Sequence, residues 1–182
     1  VLSALVVFFV PDNSKMGDKG MHNIKSHRIS LFLLQVIPII IILAAPYSDH
    51  RDIAVLPDIP LIRALGLLTA LTGFVIMNLA VIALDRQFSV NVTIQHKHEL
   101  ITKGIYHYVR HPRYLGILLF FMGIALVFNS WGCLLFTSLL LPVLIWRIKD
   151  EEKLLSTTFN EAWLAYKKQT GCLLPRFMNK PN

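Results

Sequence analysis

The chain has 182 residues, a net charge of +7, and 54% of its residues in the apolar AVILMFWYC set. Mean hydropathy is +0.56 and only 16% of residues are charged, against about 25% in a typical soluble domain, which excludes a disordered chain and argues against an ordinary soluble globule. Two cysteines, Cys133 and Cys172, are too few for a disulfide framework. In chain order, Val1–Val10 reads as the end of a first apolar helix; with no basic segment before it, it does not read as a signal peptide. Ile29 to Ser48 carries no charge, and Ala64 to Leu84 is an uncharged run of 21 residues. Each suits one crossing of a hydrocarbon core, which takes about 20 apolar residues. Tyr114 to Trp146 is uncharged over 33 residues. As one helix it would be about 50 Å long, too long for a single crossing. Asn129-Ser130-Trp131-Gly132 divides it into a predicted helical hairpin, Leu115–Phe128 and Trp131–Trp146. Beyond it, Ile148–Lys168 is predicted as a separate cytoplasmic helix with an apolar stripe of Leu155, Phe159, Trp163 and Tyr166. Gly171 reads as its stop.

Basic residues set the orientation. The segments 11–29, 85–113 and the tail from Arg147 hold sixteen of the eighteen Lys and Arg. These are expected to be cytoplasmic, with the Asp49–Pro60 connection and the Asn129 turn facing the other way. The expected fold is all-α: a polytopic membrane protein of about five transmembrane helices, one domain over 1–182. Because the bases track topology and do not form one face, no nucleic-acid partner is expected.

Polar chemistry concentrates in two segments. One runs from His96 to Tyr114, with four of the seven histidines and three of the five tyrosines. The other is Arg147-Ile148-Lys149-Asp150-Glu151-Glu152. A hairpin between them brings both to one membrane face. Each piece also has a plainer reading. Arg147 and Glu151 have the spacing of a helical ion pair. Arg110 and Arg113 suit topology anchors, and Tyr106, Tyr108 and Tyr114 an aromatic belt. His96, His98, His107 and His111 lack a complete ligand pattern such as His-Glu-x-x-His, so no metal is expected.

Together the two segments resemble the isoprenylcysteine carboxyl methyltransferase family of integral membrane enzymes and its wider phospholipid methyltransferase relatives. The resemblance rests on His98-Glu99-Leu100-Ile101-Thr102-Lys103-Gly104-Ile105-Tyr106, on Arg110-His111-Pro112-Arg113-Tyr114, and on Arg147 with Glu151-Glu152. It continues through Phe159-Asn160-Glu161-Ala162-Trp163-Leu164-Ala165-Tyr166 to Leu173-Leu174-Pro175, covering 88–175. Asn160 and Trp163 depart from the family's usual Gly and Tyr.

The resemblance implies S-adenosylmethionine as cofactor, held at the cytoplasmic face. Its contacts would be His98, Leu100, Ile101, Tyr106, His111, Pro112, Tyr114 and Glu151. An upstream contact falls on Asn91 by ungapped count, with Gln95 near. Arg147 would hold the substrate, and Arg147 and Glu151 would carry the catalytic roles. The substrate would be lipophilic, a prenylated cysteine or a lipid, reached from the bilayer. The membrane would be endoplasmic reticulum in a eukaryote and the inner (plasma) membrane in a prokaryote. A carboxylate acceptor needs a cation to hold it and no base. An amine lipid would need its proton removed, with His111 or Glu152 as the base. A membrane sterol reductase carries about twice as many spans as a chain of this length holds. A scaffold or transporter fits less well, because a translocation path calls for ionisable groups at mid-membrane, where these spans hold few polar residues.

Overall fold

The computed structural model describes residues 24–84 and 100–176. They form four α-helices and one 3-10 turn: α1 (Ile24–His50), α2 (Pro60–Leu84), the 3-10 turn (Gly104–His107), α3 (Pro112–Val127) and α4 (Trp131–Gln169). The described residues contain no β-strand, only two isolated bridges, so the fold is all-α.

Three helices are long and apolar enough to cross a membrane, over Ile29–His50, Pro60–Leu84 and Trp131–Gln169; α3 is a shorter apolar helix of 16 residues. The expected crossing at Val1–Val10 lies outside the described residues. The helices carry their leucines and isoleucines outward as well as inward. Leu65, Leu68, Val75 and Ile82 of α2 are exposed, the arrangement of a helix surrounded by lipid.

Two helix boundaries differ from the sequence reading. The helix from Trp131 continues past Trp146 and kinks only at Asn160, so the break lies there and not between a span ending at Trp146 and a separate helix. Nothing at Trp146 stops the backbone: polarity changes there, but no Gly or Pro follows until Gly171. The only non-helical residue inside is Asn160 (φ 43°, ψ −115°), a left-handed φ that asparagine tolerates better than most residues. The helix before it also starts earlier than read from the apolar run. Pro112 occupies its first turn, where a missing N–H costs nothing.

α2 and α3 run antiparallel at backbone contact. A Cβ on Gly66 would sit 2.7 Å from the Val127 nitrogen, and one on Gly116 would sit 2.8 Å from both the Gly73 oxygen and the Met77 nitrogen. Small residues permit this approach, which substitutes for a hydrophobic drive that lipid does not supply. The core lies on the other side of α3, where Leu34, Ile37 and Ile41 of α1 meet Ile117 and Phe121 of α3 and Leu140 and Leu144 of α4.

The two ends of the bundle differ. At one, Asn129 (φ 46°) turns the chain from α3 into α4. Its side chain donates to Asp58 at 3.0 Å, and the Ser130 and Ser48 hydroxyls lie 3.1 Å apart. Arg63 pairs with Asp49 and Asp58, both at 2.8 Å. The Asp49–Pro60 connection and the Asn129 turn therefore share an end. The described part of the first polar segment, 100–114, and the segment Arg147–Glu152 share the opposite one.

Replacing Gly116 by alanine forces two backbones apart. The expected loss is about 1–3 kcal/mol, read as a lowered thermal midpoint in detergent, whereas Gly132→Ala, which meets only a side-chain oxygen at 3.8 Å, is expected to change it little.

Candidate active site

The site is assembled from the entry to α3, the polar third of α4, and the turn after α4. Gly104 (φ 62°) opens the 3-10 turn in a conformation that favours glycine. Tyr106 is buried there, its hydroxyl 3.4 Å from the Ala80 carbonyl of α2. Its own carbonyl accepts a 2.6 Å hydrogen bond from Tyr166 near the end of α4. Burial pushes the Tyr166 hydroxyl up to about 12, so it stays a donor at neutral pH.

Next, Val109–His111 pairs with the turn beyond α4. The Arg110 and His111 amides donate to the Gly171 and Cys172 carbonyls at 2.8 and 3.0 Å. The Arg110 guanidinium donates to Glu152 at 2.9 Å, to the Lys167 carbonyl at 3.3 Å, and to the Thr170 carbonyl. Lys167 reaches the other Glu152 oxygen at 2.8 Å. The result is a clasp that fastens the C-terminal turn to the start of α3.

His111 joins that clasp to the rest of the site. Its Nε2 lies 3.4 Å from Glu152 Oε1, and its Nδ1 lies 3.7 Å from Glu151 Oε2. The ring stacks on Tyr114 at 5.7 Å between centroids, and the Tyr114 hydroxyl donates to Glu151 at 3.1 Å. One helical turn before Glu151, Arg147 is 2% exposed and donates to Ser30 of α1 at 3.5 Å.

The two carboxylates have different surroundings. Glu152 is 14% exposed. Burial alone would raise its pKa, but hydrogen bonds from His111, Lys167 and Arg110 outweigh it and hold the group at about 2. Such a group accepts hydrogen bonds well and takes up a proton poorly, so it is a weak base at neutral pH. Glu151 is 37% exposed, open on one side.

His111, Glu152 and Cys172 place ligand atoms within 4.8 Å of one another, the spacing of a metal site. Both Glu152 oxygens already accept from cations, and burial raises the Cys172 thiol away from the thiolate that a metal takes. The trio belongs to the clasp.

Of the residues predicted from sequence, Tyr106, His111, Pro112, Tyr114, Arg147 and Glu151 come together at this end. Leu100 and Ile101 lie half-buried in the irregular segment before the 3-10 turn. His98 and Asn91 fall outside the described residues. Arg110, which also suits a topology anchor, and Glu152, named with His111 as a base only for an amine acceptor, are both joints of the clasp. Sequence reasoning gave no role to Lys167, Thr170 or Ser30.

The family model for the isoprenylcysteine carboxyl methyltransferase family matches residues 64–157, just over half the chain. The chain belongs to that family. The match runs from the start of α2 past Glu152, and so contains His111, Tyr114, Arg147 and Glu151. Among relatives, a probable protein-S-isoprenylcysteine O-methyltransferase of Oryza sativa subsp. indica is 32% identical over 113 residues, 60% of this chain and 59% of its own length. The protein-S-isoprenylcysteine O-methyltransferase of Xenopus laevis is 30% identical over 66% of this chain and 43% of its own. The fold is similar to the solved structure of a eukaryotic intramembrane Ras methyltransferase, an isoprenylcysteine carboxyl methyltransferase. The TM-score is 0.59 at 20% identity, covering 85% of this chain and 54% of that one. The chain thus spans roughly half the length of these family members.

The clasp yields a direct expectation. Hydrogen bonds to charged groups contribute about 1.5–3 kcal/mol each, so Glu152→Gln is expected to speed hydrogen exchange at the Arg110 and His111 amides at least tenfold. The carboxyl's folded pKa lies below its ordinary 4.5. Its stabilisation is therefore complete above that value and is lost as pH falls towards 2. Below pH 4.5 the thermal midpoint of the wild type is expected to fall more steeply than that of the variant.

Proposed function

We propose that this chain transfers a methyl group from S-adenosylmethionine to the carboxylate of an isoprenylated cysteine at the cytoplasmic membrane face. The observation that carries the proposal is a buried guanidinium, Arg147, one helical turn from a partly open carboxylate, Glu151. The names of the rice and Xenopus relatives support the same chemistry. In this reading 1–182 works as one integral membrane unit of about five crossings. Its substrate is lipophilic and enters from the bilayer, in the endoplasmic reticulum or a prokaryotic inner (plasma) membrane.

The donor set suits S-adenosylmethionine, which presents a sulfonium, an ammonium, ribose hydroxyls and an adenine. Glu151 has an open side able to accept from an ammonium or a hydroxyl. Tyr106 and Tyr114 offer ring faces to a sulfonium, an attraction of about 0.5–2 kcal/mol. His111 is held by both carboxylates and presents a fixed ring. Pro112 fixes the backbone at the entry to α3. Leu100 and Ile101 bring backbone groups for an adenine edge, and the family resemblance adds His98 and Asn91. When bound, the cofactor supplies an activated methyl group.

The acceptor side follows from charge. A carboxylate is a nucleophile at neutral pH, so the protein's work is to hold and orient it. A guanidinium grips a carboxylate through two parallel hydrogen bonds, and Arg147 sits where α1 and α4 exclude water, which strengthens that grip. An amine acceptor would need a base instead, and Glu152, held near 2, is unsuited to that role.

Calorimetry on the detergent-purified protein tests the reading. The wild type is expected to bind S-adenosylmethionine saturably, and Glu151→Gln to weaken it at least tenfold, about 1.4 kcal/mol. Arg147→Ala is expected to keep that binding and lose most methylation of N-acetyl-S-farnesylcysteine. Failure of the folded wild type to bind in lipid nanodiscs, or methylation of amine lipids alone, would overturn the proposal.

A further inference from the structure

The sequence motifs lie between His98 and Pro175, and α1 enters the argument only as a membrane span. The structure brings it to the site. Within the described part of α1, the buried face is apolar from Leu34 through Ile37 and Ile41 to Ala45, packed on α3 and α4. Ser30, two helical turns before Ile37, is the buried polar side chain of that face and is 0% exposed. Its Oγ accepts from Arg147 Nη1 at 3.5 Å across the α1–α4 interface. The two groups meet beside the first helical turn beyond the apolar core, which closes at Leu144 and Ile148 on either side of Arg147.

A guanidinium on a long side chain has many available rotamers. A hydroxyl on a rigid, fully buried helix face narrows those rotamers without neutralising the charge. A carboxylate at the same place would satisfy the guanidinium and leave little attraction for any other anion. Serine is therefore suited to hold Arg147 in place while keeping it cationic for an incoming carboxylate.

We infer that Ser30 is a positioning residue for the acceptor carboxylate, acting through Arg147 and contributed by α1. The inference rests on the reading that Arg147 holds that carboxylate. It concerns the acceptor side: Ser30 acts through Arg147, which also lies beside the Tyr114 hydroxyl that donates to Glu151. Its signature is a split between the two substrates.

The test compares wild type with Ser30→Ala, Ser30→Asp and Arg147→Ala in nanodiscs. The readouts are KM and kcat for N-acetyl-S-farnesylcysteine and, separately, the calorimetric Kd for S-adenosylmethionine. Ser30→Ala is expected to raise the acceptor KM three- to tenfold with the cofactor Kd within twofold of wild type. Ser30→Asp is expected to raise it by more than tenfold with the cofactor still bound, because its carboxylate occupies the guanidinium. Retained cofactor binding shows that each variant is folded. Wild-type acceptor kinetics in both Ser30 variants, with Arg147→Ala impaired, would overturn the role of Ser30 alone. Loss of cofactor binding in step with the acceptor defect would make Ser30 a general packing residue and overturn it too. Unchanged kinetics in Arg147→Ala would overturn the parent reading together with this one.

Discussion

Glu152 is a carboxylate placed where an apolar bundle ends, and it stays ionised because three donors from three parts of the chain converge on it. Arg110 comes from the entry to α3, His111 from the residue that caps that helix, and Lys167 from the last turns of α4. A lone buried charge would cost several kcal/mol. Here the charge is matched on both oxygens, and the penalty becomes a constraint: removing any partner leaves another unpaired. The two backbone hydrogen bonds from Arg110 and His111 to the turn after α4 depend on the same geometry. His111, which also stacks on Tyr114, takes part in this joint.

The joint has something rigid to fasten to because α2 and α3 meet at backbone contact. That seam fixes α3 against α2 to within a Cβ radius, and with it the height of Ala80 relative to Tyr106. The opposite end of the bundle is tied by Arg63, Asp49, Asp58 and Asn129. With both ends pinned, α4 passes from the apolar core into the polar site without a break. Arg147, Glu151 and Glu152 thus inherit their spacing from one helix and not from a loop, and functional groups on a helix are held more precisely.

Much of this was legible in the sequence, for definite reasons. Long uncharged runs with breaks at Asp49–Pro60 and Asn129 leave little choice but helices joined there, and the lysines and arginines mark which connections share a side. The nearness of the His111 and Glu151 segments follows from the turn between them. What the sequence hid is of two kinds. Helix continuity past Trp146 was misread because a change from apolar to charged residues was taken as an end, although polarity alone does not stop a helix. The clasp was invisible because Arg110 beside a span is indistinguishable from a topology anchor until its partner on α4, 42 residues away, is known. Ser30 carried no signal at all: one serine in an apolar run is ordinary, and only its contact with Arg147 gives it meaning.

The carboxylates and arginines at this end divide in a way that bears on the chemistry, with Arg113 lying near Tyr114, Arg147 and Glu151. Arg110 and Glu152 neutralise each other and are used up in structure. Arg147 is buried beside a neutral hydroxyl, and Glu151 is shared with a tyrosine hydroxyl and the more distant edge of an imidazole. In the proposed reading Arg147 and Glu151, separated by one turn of one helix, take ligands of opposite charge, an anion at one and a cation at the other. A reaction between a cationic donor and an anionic acceptor needs that polarity, arranged before either arrives and with little water to screen it. A site built to deprotonate an amine would place an accessible base near neutrality beside the acceptor. Here the better-buried carboxylate, Glu152, is held well below the usual carboxylate range by its donors, and the balance of the site favours holding charges over moving protons.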